Sequence, residues 1–183
     1  MKLVLGAFFA AILMFVYGFV SHAVLPWHAP ADLKDDRALA QAVKASVTEP
    51  GMYMVPSRLR PDGTHLSEEQ WMKAADEGPF MLAMIRPAPS KRPMASYMAA
   101  SFVYNILLAL LLGLILRQIN ADFFGTVGAS AMIGLFSGLS NWLPASNWYG
   151  YPAVWWVPYV VDGVLEGILA GAVLAAFVRK KTA

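Results

Sequence analysis

AVWWVPYVVDGVLEGILAGAVLAAFV, residues 153–178, decides how this chain is read. The stretch has no basic side chain and only two acids, Asp162 and Glu166. About 20 apolar residues cross the hydrocarbon core of a bilayer as a helix, so it predicts a membrane span. A carboxylate at mid-bilayer costs roughly 2.5–3.5 kcal/mol on insertion scales. Four residues apart on a helix, the two carboxyls share one face about 6 Å from each other. In that setting they need a cation, a proton or hydrogen-bond donors.

Three more stretches lack charge: residues 3–20, 95–116 and 123–143. Hydrophobic residues make up 58% of the 183, and charged residues 14%, against about 25% in ordinary soluble domains. The prediction is an integral membrane protein, mainly α, with four transmembrane helices. Helix 1 falls in 1–22 and a three-helix bundle in 94–183, with spans near 95–117, 122–143 and 153–178. Lys2, the apolar run and Ser21-His22-Ala23 also suit a signal peptide. Eighteen apolar residues exceed a usual signal core, so an uncleaved helix is the expectation.

Basic residues near span ends set orientation. Lys2, Arg117, Arg179, Lys180 and Lys181 gather on one side if both termini are cytoplasmic. Residues 23–93 are then extracytoplasmic; Lys91 and Arg92 oppose this, but from a long loop where the rule weakens. Trp142, Trp148, Tyr149, Tyr151, Trp155 and Trp156 cluster at the outer ends of the last two spans, as interfacial anchors do.

Residues 21–95 carry nine Lys or Arg and nine Asp or Glu. No basic patch points to nucleic acid, and the absence of cysteine removes disulfides and thiolate metal ligands. Asp35 and Asp36 open a helix to about residue 47, followed by a strand over 52–55. Ser67 and Gln70 form a capping-box pattern opening a second helix to about Asp76, followed by a strand over 80–85. The order predicts a small αβαβ module, and strand, helix, strand allows a right-handed parallel crossover.

FVYGFVSHAVLPWH (15–28), EPGMYMVP (49–56), NWYGYP (147–152) and Asp162 followed by Leu169-Ala170-Gly171 together resemble a group of small bacterial inner-membrane proteins with one helix, an outer loop and three more helices. That group has no assigned activity. The resemblance implies a bacterial inner membrane and this topology, and supplies no catalytic residue.

Helical rise adds depth. From the outer end of span four, Asp162 lies about 12 Å deep and Glu166 about 18 Å. Asn105 on span two and Ser130 on span three fall at about 15 and 16 Å. Asp162, Glu166, Asn105 and Ser130 therefore predict an intramembrane polar layer, to which span one adds only Met14. Gly163, Gly167 and Gly171 on span four, with Gly134 and Gly138 on span three, predict close helix packing.

The leading expectation is a non-catalytic accessory, assembly or interaction component of a membrane complex, in contact with lipid and with a membrane-protein partner or a second copy. No cofactor is expected. The alternative is a small oligomeric transporter or proton/cation pathway using Asp162 and Glu166. A third is extracytoplasmic copper handling, because the imidazoles of His22 and His28 and the thioethers of Met52 and Met54 suit copper(I). No phosphate loop, His-Glu-x-x-His or Rossmann glycine pattern supports an enzyme.

Overall fold

The computed structural model describes residues 1–89 and 91–178. Arg179, Lys180 and Lys181, used above for orientation, lie outside the described residues. The chain divides into two compact units, Met1–Pro30 with Arg92 onward, and Ala31–Lys91.

The first unit holds four helices long and apolar enough to cross a membrane: α1 (Lys2–Phe19), α4 (Met94–Leu116), α5 (Phe123–Tyr149) and α6 (Ala153–Val178). Residues 23–30 belong to this unit rather than to the inserted module. α1 runs on through a π turn, Val20–Val24, and a short 3₁₀ turn, Pro26–His28. α5 continues beyond residue 143, where the sequence placed the end of the span, and through Pro144 to Tyr149. The residue that can end it is Gly150, whose φ of 65° is the left-handed conformation of a helix C-cap.

α6 packs between α5 and α1, and α4 lies mainly against α1 while also touching α6 and α5. Ala7, Ala10 and Met14 of α1 form the core with Ala109 and Leu116 of α4 and Ala170, Leu174 and Val178 of α6. Small side chains let these backbones approach. The closest approach joins Gly134 to Gly163, where a Cβ on Gly134 would collide with the Gly163 carbonyl. Gly167 and Gly171 likewise receive Ser130 of α5. The glycine spacing is thus consumed inside the chain. The outward faces carry large apolar groups such as Leu107, Leu111, Met132 and Phe136, all exposed.

The second unit contains α2 (Asp36–Ser46), β1 (Gly51–Val55), α3 (Glu68–Glu77) and β2 (Met81–Ile85). Asp35 caps α2 through the amide of Ala38, and Ser67 and Gln70 form a reciprocal capping box on α3. The strands pair antiparallel, from Gly51 opposite Ile85 to Val55 opposite Met81, which replaces the parallel crossover the sequence allowed. Trp71 of α3 accounts for it. Its indole donates to the Pro56 carbonyl at 2.9 Å, and its ring meets Arg58 on one side and Phe80 on another. The end of β1 and the start of β2 are therefore gathered at one point, and the second strand returns beside the first. In the loop before α3, Asp62 accepts from the hydroxyl of Thr64 at 2.7 Å and from its amide at 2.9 Å. These bonds hold its carboxyl below the usual carboxylate range.

Candidate functional site

Asp162 sits one turn beyond Pro158 on α6, facing the end of α1, and is only 6% exposed. Tyr17 and Ser21, four residues apart, are both aimed at it. The Tyr17 hydroxyl donates to Oδ1 at 2.7 Å. Ser21 Oγ lies 2.7 Å from Oδ1 and 2.9 Å from Oδ2. His28 brings Nε2 to 2.8 Å from Oδ2. Trp27 fixes the turn from above, its indole donating to the Ser21 carbonyl at 3.1 Å and to Ser21 Oγ at 3.0 Å. The π turn matters here, since Leu25 N bonds back five residues to the Val20 carbonyl. The chain then folds over Asp162 instead of leaving along the helix axis.

Two imidazoles complete the cluster. His22 and His28 stack with centroids 4.1 Å apart and planes 9° from parallel. His22 Nδ1 lies 4.0 Å from Asp162 Oδ2 and 3.2 Å from the Gly18 carbonyl. Its side chain is 51% exposed, whereas that of His28 is 4% exposed. His28 Nδ1 is buried and has no hydrogen-bond partner among the described residues. Tyr159 covers His28, at 4.5 Å between centroids, and stacks in turn on Trp142 at 5.0 Å. Trp142 and Trp155, expected as interfacial anchors, thus also pack around the site through Tyr159; Trp148 remains outward and exposed.

Ser, His and Asp do meet, but not as a hydrolytic triad. That relay places Asp on one ring nitrogen and Ser on the other. Here Ser21 and Asp162 share His28 Nε2, and the serine hydroxyl is also within hydrogen-bond distance of the carboxylate.

The predicted polar layer divides in two: Asp162 bonds to Tyr17, Ser21 and His28, while Ser130 and Asn105 each share a cavity wall with Glu166. Ser130 Oγ donates to the Thr126 carbonyl of its own helix at 2.8 Å, and neither Ser130 nor Asn105 is bonded to Asp162. Span one supplies the polar partners that the depth reckoning denied it. Glu166, one turn further along α6, forms part of the wall of two cavities. The first, of about 390 Å³, includes Ser130, Asn141, Trp142 and Tyr159. The second, of about 410 Å³, lies between α1 and α4 and includes His22, Ser101 and Asn105. Glu166 and Met14 are common to both. A side chain added at Gly18 would come within 3.8 Å of Glu166 Oε1, so the carboxyl lies against the α1 backbone.

Of the proposed copper ligands, His22 and His28 join Asp162; their ligand atoms and one of its oxygens all lie within 4.8 Å of one another. Met52 and Met54 belong to the second unit, on one face of β1 opposite Met84 and Leu82. Tyr17, Ser21 and Trp27 are the site residues the sequence reading missed. The signal was the Tyr17–Ser21 spacing. Compared with protein-family models, with curated proteins and with solved structures, the chain finds no match.

Proposed function

We propose that this chain is a small bacterial inner-membrane protein that binds and passes a cation, with both termini cytoplasmic and residues 31–91 outside. Asp162 anchors the first helix to the last, and Glu166 is the working carboxylate. The observation that carries this reading is the position of Glu166 on the wall of both cavities, with no Lys or Arg among the described residues lining either. An acid between apolar helices that faces a cavity and lacks a fixed basic partner favours a cation there. Asp162 lines neither cavity, and its oxygens face Tyr17, Ser21 and His28 instead. Four spans per chain favour an oligomer for a complete path.

The test is flux in proteoliposomes under an imposed proton or alkali-cation gradient. Glu166→Gln abolishes flux above the liposome background while unfolding at the wild-type temperature. Wild-type protein that fails to exceed protein-free liposomes, or a Glu166→Gln variant that conducts normally, overturns the reading.

A second reading, an accessory or assembly component, draws on one other observation. Met52 and Met84 sit opposite each other across the two strands, 64% and 85% exposed. Adaptable methionine surfaces serve protein recognition. A stoichiometric partner that co-purifies with wild type and with Glu166→Gln, but not with Met52→Glu/Met84→Glu, supports it.

A further inference from the structure

We infer that His22, His28 and Asp162 form a binding site for a divalent borderline metal ion, with Zn2+ as the representative. The site uses residues other than the cavity carboxylate Glu166, and so stands apart from the cation reading above. Two imidazoles and one carboxylate are the donor set of an open zinc site, which keeps a fourth position for water or substrate. The carboxylate replaces the thioethers expected from sequence. That exchange moves the preference from copper(I) toward harder divalent ions.

The carboxylate is already divided between two tasks. Tyr17 and Ser21 both hold Oδ1 at 2.7 Å, and Oδ2 faces the two histidines, with Ser21 Oγ also 2.9 Å from it. Hydrogen-bonded support of this kind is what orients a metal-ligating carboxylate. The spacing is close to what the ion requires. Zinc–ligand bonds of about 2.0–2.2 Å in a tetrahedron set neighbouring ligand atoms about 3.4 Å apart. The two histidine nitrogens stand at 2.8 and 4.0 Å from Oδ2, on either side of that value. The ion sits between His28 Nε2 and Oδ2, with the imidazole proton carried on Nδ1, and His22 exchanges its contact with the Gly18 carbonyl for the metal. The stacked rings must splay, because each nitrogen lone pair lies in its own ring plane. His22, half exposed on the π turn, is the ring free to swing.

The experiment is Zn2+ titration of full-length, chelator-stripped protein in detergent, followed by calorimetry and by metal analysis after desalting. Wild type binds one Zn2+ per chain. His22→Ala and His28→Ala each weaken binding at least about tenfold, and Tyr17→Phe, acting through Oδ1, weakens it by up to about tenfold. Glu166→Gln binds as wild type, so loss of flux and loss of metal are separable. Co2+ gives the absorption bands of a four-coordinate centre in wild type and not in His22→Ala. Since His22 is exposed and outside the packed core, that variant keeps its fold where Asp162→Asn does not. Absence of stoichiometric binding, or wild-type affinity in His22→Ala and His28→Ala, overturns the assignment.

Discussion

Asp162 and Glu166 are one helical turn apart and chemically alike, yet the structure treats them oppositely. The first is enclosed by Tyr17, Ser21 and His28 and joins the end of α1 to α6. The second stands on the wall of two cavities with Met14 beside it. Two acids in an apolar helix are therefore not one site with two copies of the same part. The difference comes from what the neighbouring helix offers at each level: hydroxyls and an imidazole at one, glycine and methionine at the other.

Removing the enclosed acid should have the largest effect. Asp162→Ala leaves buried donors of Tyr17, Ser21 and His28 without an acceptor, and unfolding in detergent should show a loss of about 3–5 kcal/mol. Glu166→Gln should shift the same transition by less than about 1 kcal/mol. Equal losses would abolish the distinction between the two acids. Next comes the support of that turn. Gly134→Ala drives a methyl into the Gly163 carbonyl and should cost about 1–3 kcal/mol. Gly128→Ala, on the same helix with open space around it, should be neutral or stabilise by up to about 1 kcal/mol.

Tyr17→Phe removes one of the donors and should cost about 1–2 kcal/mol, with no change in flux through the Glu166 cavities. The smallest effect is expected at a carboxylate in the other unit. Asp62 is held low by the Thr64 hydroxyl and then by the Thr64 amide. Its contribution is present above the unfolded-state value and is lost as pH falls through the depressed folded one. Thr64→Val should therefore move the Asp62 titration upward toward the ordinary carboxylate range. Carboxyl NMR shifts of the full chain read this directly.

Four apolar helices, the caps at Asp35 and Ser67 and the glycine contact of α5 with α6 were legible as runs and spacings, because each follows from residues near in sequence. Strand direction was not legible, since Trp71 sets it through contacts with residues on both sides of α3. The site was half legible. Asp162, Glu166, His22 and His28 drew attention by their chemistry, and Ser130 and Asn105 each share a cavity wall with Glu166, though neither is bonded to Asp162. Depth arithmetic over a first helix placed in 1–22 counted only Met14 for span one and left Tyr17 about 8 Å from its outer end. Ending it at Val24, where the π turn closes, puts Tyr17 about 10 Å deep and level with Asp162. Tyrosine and serine are also common enough in apolar helices that nothing marked them before α6 was placed alongside.

The π turn at Val20–Val24 stores its information as a number of residues rather than as their identities. A π turn is an α-helical turn carrying one residue too many. Most apolar exchanges at Val20, Ala23 or Val24 should pass unnoticed, because those side chains are exposed. Deleting a single residue is another matter. It lets the turn relax to ordinary α geometry and rotates all that follows by about 100°. Trp27 and His28 then leave Asp162, while Tyr17 stays in place. Length conservation across 20–28, with free drift of the letters, is the evolutionary signature this geometry implies.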